Sequence, residues 1–268
     1  MAEPILSLLV LSACVSARGV QRLWNVAGGR RIVSPQQVLS LVVGFVVLLI
    51  ALESPLDGVV NTSLPWHMVQ HVLLIAVAPP LLAAGAPLTI ALYALPTAGR
   101  RRVQPVWRRV LRSQENHYWF GWTAFAFALA TLTLGAWHLP VFYEAALRNQ
   151  WVHSLEHFSF VATSTFFWWM VLGAGRRENR GLGVIAVFVA TLPATGLGLL
   201  MTLASTSWYA SYGTGAAAVR DQQVAGAVMW GFGGVALVVA GATVFAGWLS
   251  AMDRADARAG ERSLAEQC

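Results

Sequence analysis

Charge is scarce in this 268-residue chain: 11% of its residues are Asp, Glu, Lys or Arg, while 57% are hydrophobic. A soluble domain carries about 25% charged residues, so water is excluded as the solvent for most of this surface. Lysine is absent altogether, and the 18 basic residues are all arginine. They stand in clusters between apolar segments rather than along one face, which argues against nucleic-acid binding despite the net charge of +6. Cysteine is nearly missing too. Cys14 lies in an apolar run and Cys268 at the last position, which excludes a disulfide framework or a cysteine-based zinc site and leaves the redox compartment open. Fixed-period repeats are lacking.

What the sequence has is long apolar runs, at about 4–17, 36–52, 66–95, 118–136, 152–172, 181–203 and 224–250. About twenty apolar residues cross a hydrocarbon core, so these runs predict an all-α polytopic helix bundle with about seven transmembrane spans. The first run has the length of a signal-peptide core, but it lacks a basic leader and arginines follow it, so it is read as a short span. In the third run, Pro79-Pro80 and Gly85-Ala86-Pro87 predict a kinked span and then a short segment near the interface.

Arginine sets the orientation. Arg18, Arg22, Arg30 and Arg31 follow span one; Arg100, Arg101, Arg102, Arg108, Arg109 and Arg112 follow span three; Arg176, Arg177 and Arg180 follow span five; Arg254, Arg258 and Arg262 follow span seven. Only Arg148 and Arg220 fall on the other side, so the positive-inside rule puts the N-terminus outside and the C-terminus in the cytoplasm. Trp66, Trp137, Trp151 and Trp208 fall at the outer boundary, as an aromatic belt. The expected organisation is a seven-helix membrane domain over 1–252 and a polar, disordered cytoplasmic tail over 253–268.

Five of the six histidines sit at outer span ends. His67 and His71 open the third span and His153 and His157 the fifth; residues four apart lie about 40° round a helix and 6 Å along it, so each pair shares a face. His138 closes the fourth span on the same side. A single histidine at a helix end is ordinarily an interfacial, hydrogen-bonded residue. Five at one depth in a low-polarity medium are costly unless they hydrogen-bond, move protons or hold a metal. Imidazole suits copper, zinc and iron, while Met68 and Met201 at the same level favour Cu(I), so copper is the expected metal and zinc the alternative.

Glu156 completes His153-x-x-Glu156-His157, the H-x-x-E-H pattern of zinc peptidases in which the glutamate activates water; it would equally orient a ligand histidine. Asp221, in Asp221-Gln222-Gln223, is a candidate partner for a ligand or an anchoring charge at the start of the last span. A membrane-embedded zinc hydrolase with Glu156 or Asp221 as base is therefore the competing reading. Bis-histidine haem needs facing ligands that i,i+4 pairs do not specifically supply, and a transporter would put its ligands near the midplane. The glycines of Trp230-Gly231-Phe232-Gly233-Gly234 are expected to let helices approach closely.

Taken in order, His67-Met68-Val69-Gln70-His71 with Ala78-Pro79-Pro80-Leu81-Leu82 and Gly85-Ala86-Pro87, Trp137-His138-Leu139-Pro140 with Phe142-Tyr143, and His153-Ser154-Leu155-Glu156-His157 form a specific series. Phe167-Trp168-Trp169 and Asp221-Gln222-Gln223-Val224-Ala225-Gly226 with Met229-Trp230-Gly231 extend it to the last span. The chain resembles the multi-spanning CtaG family of cytochrome c oxidase assembly factors over most of its length. The resemblance implies a non-enzymatic membrane factor that matures haem-copper oxidase in a bacterial cell membrane and helps copper reach it. Oxidase subunits and other copper chaperones are the implied partners; on the reading of the residues above, His67, His71, His138, His153 and His157, with Met68, are the expected copper ligands.

Overall fold

The computed structural model of the chain describes residues 3–26, 28–53, 62–112, 118–173 and 177–266, which are helical almost throughout and contain no strand. In lipid an α-helix satisfies its own backbone hydrogen bonds, and the long unalternating apolar runs select it over barrel strands.

In chain order, α1 covers Glu3–Trp24, the short α2 Gly29–Ile32 and α3 Pro35–Glu53. The third run divides into α4 (Leu64–Val72), a π-helical turn (Leu73–Val77), α5 (Ala78–Ala84) and α6 (Pro87–Ala94). Proline has no N–H, so Pro79 and Pro80 cannot bond the carbonyls one turn back. The helix widens just before them, where the Ala78 N–H reaches the Leu73 carbonyl. Ala86, with φ 51°, then turns left-handed and ends the span, and α6 starts on Pro87. The helix is interrupted at the prolines, and the short following segment that the sequence predicts is present. The arginine cluster beyond them forms an amphipathic helix of its own, α7 (Thr97–Arg112), with the Arg100 guanidinium 4.7 Å from the centre of the Tyr93 ring.

The second half holds α8 (Trp119–His138), the short α9 (Pro140–Arg148), α10 (Gln150–Leu172), α11 (Arg177–Leu203) and α12 (Ala216–Glu266). Two apolar clusters fill the bundle. One includes Met68, Leu74, Phe160, Met201 and Met229 near the histidines and extends to Leu41, Leu82 and Ile90. The other, around Trp119, Phe167, Trp168, Met170 and Leu237, lies toward the opposite end, where the Trp119 indole donates to the Met170 carbonyl at 2.8 Å.

Among the described residues six helices are long and apolar enough to cross a membrane: Leu6–Trp24, Pro35–Glu53, Leu64–Ala84, Trp119–His138, Gly181–Leu203 and Ala216–Arg254. The remaining expected span, α10, is 23 residues long, but His153, Glu156 and His157 in its first turns lower its hydropathy. Its length suffices to cross, and its polar side chains face the bundle interior rather than lipid. Two sequence expectations need correction. Asp221 does not open the last helix, which begins at Ala216. Of the three expected glycines Gly233 alone packs on a neighbour, buried with an added Cβ 3.7 Å from Val72 of α4, and the tightest crossing falls instead at Gly198 and Gly226. An added Cβ would meet nothing within 4 Å at Gly231 or Gly234, whereas at Gly226 it would lie 2.6 Å from the Thr202 nitrogen. At Gly231 an added side chain thus has open space, and Gly226 is where α12 presses on α11.

Candidate metal centre

The histidine pairs converge because three helices present them at one end of the bundle. His67 and His71 come from α4, with ring centres 4.5 Å apart; His153 and His157 come from α10, 4.2 Å apart. Asn149 caps α10, its side chain accepting from the Trp151 and Val152 N–H groups at 2.9 and 3.4 Å, which fixes where the first turn bearing His153 begins. His138 ends α8, which α10 grips through the Trp137 indole donating to Ser159 at 2.8 Å. Across helices, His67 lies 5.3 Å from His153 and His71 lies 5.4 Å from His138, ring centre to centre. All five expected imidazoles therefore belong to one cluster, and His67, His71, His138 and His157 are buried.

Glu156 enters the cluster. It is fully buried, neither of its oxygens has a hydrogen-bond partner, and Oε1 stands 3.5 Å from His71 Nε2. One ligand atom from each of His67, His153, Glu156 and His157 falls within 4.8 Å of the others, a spacing that one metal ion could bridge. Met68 is buried among the apolar core residues, about 100° round α4 from His67. Asp221 is exposed and carries no hydrogen bond or ion pair among the described residues, while its neighbour Gln222 is fully buried.

Gln222 belongs to a part of the site that the spacing of histidines could not reveal. It accepts from the Trp208 N–H at 2.7 Å and donates to the Thr206 carbonyl at 3.1 Å, fixing the segment between α11 and α12. That segment carries Tyr209 and Tyr212 across the end of the bundle. Tyr209 stacks on Tyr143 of α9, 4.0 Å between ring centres, and donates to the His138 carbonyl at 2.9 Å. The Tyr212 hydroxyl is 2.8 Å from His67 Nδ1 and 3.5 Å from the Tyr143 hydroxyl. Outside this layer Glu144 accepts from the backbone N–H of Ser211 at 2.9 Å and from its hydroxyl, and from Arg148 at 3.3 Å. Burial tends to raise the Glu144 carboxyl, but these donors outweigh it and hold the group below the usual carboxylate range. Burial, reinforced by the neighbouring acidic groups, pushes the phenols of Tyr143 and Tyr209 up, and burial does the same for Tyr212, so all three stay protonated at neutral pH.

These bonds set the imidazole tautomers. The His138 Nδ1 lies 2.8 Å from the Leu134 carbonyl, which can only accept, so Nδ1 carries the proton and Nε2 keeps its lone pair. His67 is equivalent when Nδ1–H donates to the Tyr212 oxygen, leaving Nε2 as the ligand atom. A buried pocket of imidazole lone pairs with one carboxylate matches the donors that copper, zinc or iron accept. Along one flank an apolar groove of about 1080 Å³ between α1, α3 and α10 reaches His157, so that side of the cluster faces the apolar phase.

Residues 16–251 match the family model described as cytochrome c oxidase caa3 assembly factor. Two uncharacterized proteins, one from Mycobacterium bovis and one from Mycobacterium tuberculosis, are each 26% identical over 175 residues, covering 61% of this chain and 26% of the relative. The chain thus spans about a quarter of the length of the curated relatives it matches. No solved structure matches it.

Proposed function

Because the chain belongs to the cytochrome c oxidase caa3 assembly factor family, we propose that it helps mature a haem-copper oxidase in a bacterial cell membrane by holding copper among its outer-end histidines and handing it on. The observation that carries this reading is the convergence of His67, His153, His157 and Glu156 to within 4.8 Å in a buried pocket. Copper is here the cargo. Three imidazoles suit either oxidation state and the carboxylate favours Cu(II). Met68, a soft donor of the kind that suits Cu(I), is on the same helix as His67 but packs in the apolar core.

The chain's own residues do three things in this account. Tyr212 and the Leu134 carbonyl orient ligand rings through their second nitrogens. The tyrosine layer, tied down by Glu144 and Gln222, keeps water from the cluster. The ligands come from separate helices and lie near the outer boundary, which lets an incoming donor from an oxidase subunit or another copper chaperone replace them one at a time. Of the two candidate bases of a zinc hydrolase, Glu156 lies among the histidines while Asp221 is exposed.

The test is complementation. In cells whose own copy is replaced by a His67→Gln, His153→Gln chain, the oxidase should be purified with its haem but with its copper depleted and its activity reduced at least tenfold. An oxidase of full copper content would overturn the copper-delivery role.

A further inference from the structure

The cluster has more ligands than one ion takes. Histidine-bound ions of this kind have about four ligands. His67, His153, His157 and Glu156 already supply four, yet His71 and His138 are buried beside them. Neither ring nitrogen of His71 has a hydrogen-bond partner, and the Nε2 of His138, whose proton is fixed on Nδ1, has none either. Leaving a buried polar atom unsatisfied is costly, and a neutral imidazole has one lone pair to offer, so His71 and His138 each present one nitrogen that a metal ion would satisfy. Two imidazoles on one ion lie roughly 5–6 Å apart, centre to centre, given metal–nitrogen distances near 2.0 Å. His71 and His138 are 5.4 Å apart, and His157 is 5.9 Å from His71. Glu156 has two unpartnered oxygens, one of them 3.5 Å from His71 Nε2, and so faces both halves of the cluster.

We propose that the pocket holds two metal ions, the second bound by His71 and His138, with the Glu156 carboxylate bridging it to the first. Paired ions bridged in this way sit about 3.5–4 Å apart, close enough for one carboxylate to serve both. The proposal rests on the copper reading above and extends it: the chain delivers copper in pairs, or keeps one ion while releasing the other.

The experiment is anaerobic titration of the detergent-purified full chain with Cu(I) against a competing chelator, with copper per chain measured after removal of the free ion. Two copper ions per chain are expected in the wild type and one in His138→Gln. As a second readout, the Cu(II)-loaded wild type should give well under two spins per chain by electron paramagnetic resonance because bridged ions couple, and His138→Gln should give one full spin. Saturation of the wild type at one ion overturns the second site and leaves the copper reading standing. No copper at all overturns both. Two ions retained by His138→Gln also overturn the assignment. The wild-type stoichiometry is decisive even if the variant does not fold.

Discussion

At the scale of single residues, the cluster is organised by what each ring does with its second nitrogen. Tyr212 reaches His67 from the short 3-10 turn in the segment between α11 and α12 rather than from a spanning helix. Losing a partner of this type weakens metal binding about 10–100-fold. Tyr212→Phe should therefore weaken copper binding by about that factor in a chelator competition while the bound stoichiometry is kept; an unchanged affinity would mean that His67 is not held by the phenol. The histidines were legible in the sequence because i,i+4 spacing needs only helix geometry to become proximity. Glu156 was legible only as an ambiguity, since the pattern around it fits a base as well as a ligand. Tyr209, Tyr212 and Glu144 were not legible, because the two tyrosines come from the irregular segment between α11 and α12, where spacing carries no direction, and Glu144 meets the cluster only through that segment. Gln222 lay one residue from Asp221, and only the turn of the helix decides which of the two points inward.

At the scale of elements, the third span shows how local chemistry sets shape: two prolines without N–H groups, a π-turn to absorb them, and a left-handed Ala86 to stop the helix. The interruption and the short segment after it could be anticipated from Pro79-Pro80 and Gly85-Ala86-Pro87, whereas the π-turn and the left-handed Ala86 could not. The α11–α12 crossing could not, because small residues are frequent in spans and the sequence does not say which of them meet a neighbour. Gly226→Val should destabilise the protein by about 1–3 kcal/mol through overpacking against Gly198 and Thr202. Gly231→Val, in open space, should change little apart from helix propensity. Thermal unfolding in detergent of the two variants side by side checks this, and equal midpoints would contradict the crossing.

At the scale of the whole molecule, the alternation of arginines and the six evidently apolar helices leave the role of α10 to decide topology. With α10 crossing, the ends of the bundle lie on opposite sides of the membrane; without it, they share a side. Reporter fusions after Leu172 and at the C-terminus, read against one after Arg148, should show Arg148 outside and both others in the cytoplasm. A reporter that stays outside after Leu172 would remove α10 from the membrane, and His153 and His157 with it. The central claim is that this end of the bundle binds copper, and metal analysis of the purified protein tests it most directly. Loaded with Cu(I) without oxygen, the wild type should retain copper, and the quadruple variant His67→Ala, His71→Ala, His153→Ala, His157→Ala should lose it. Zinc in place of copper in the wild type as purified, or equal copper in both proteins, would contradict the account.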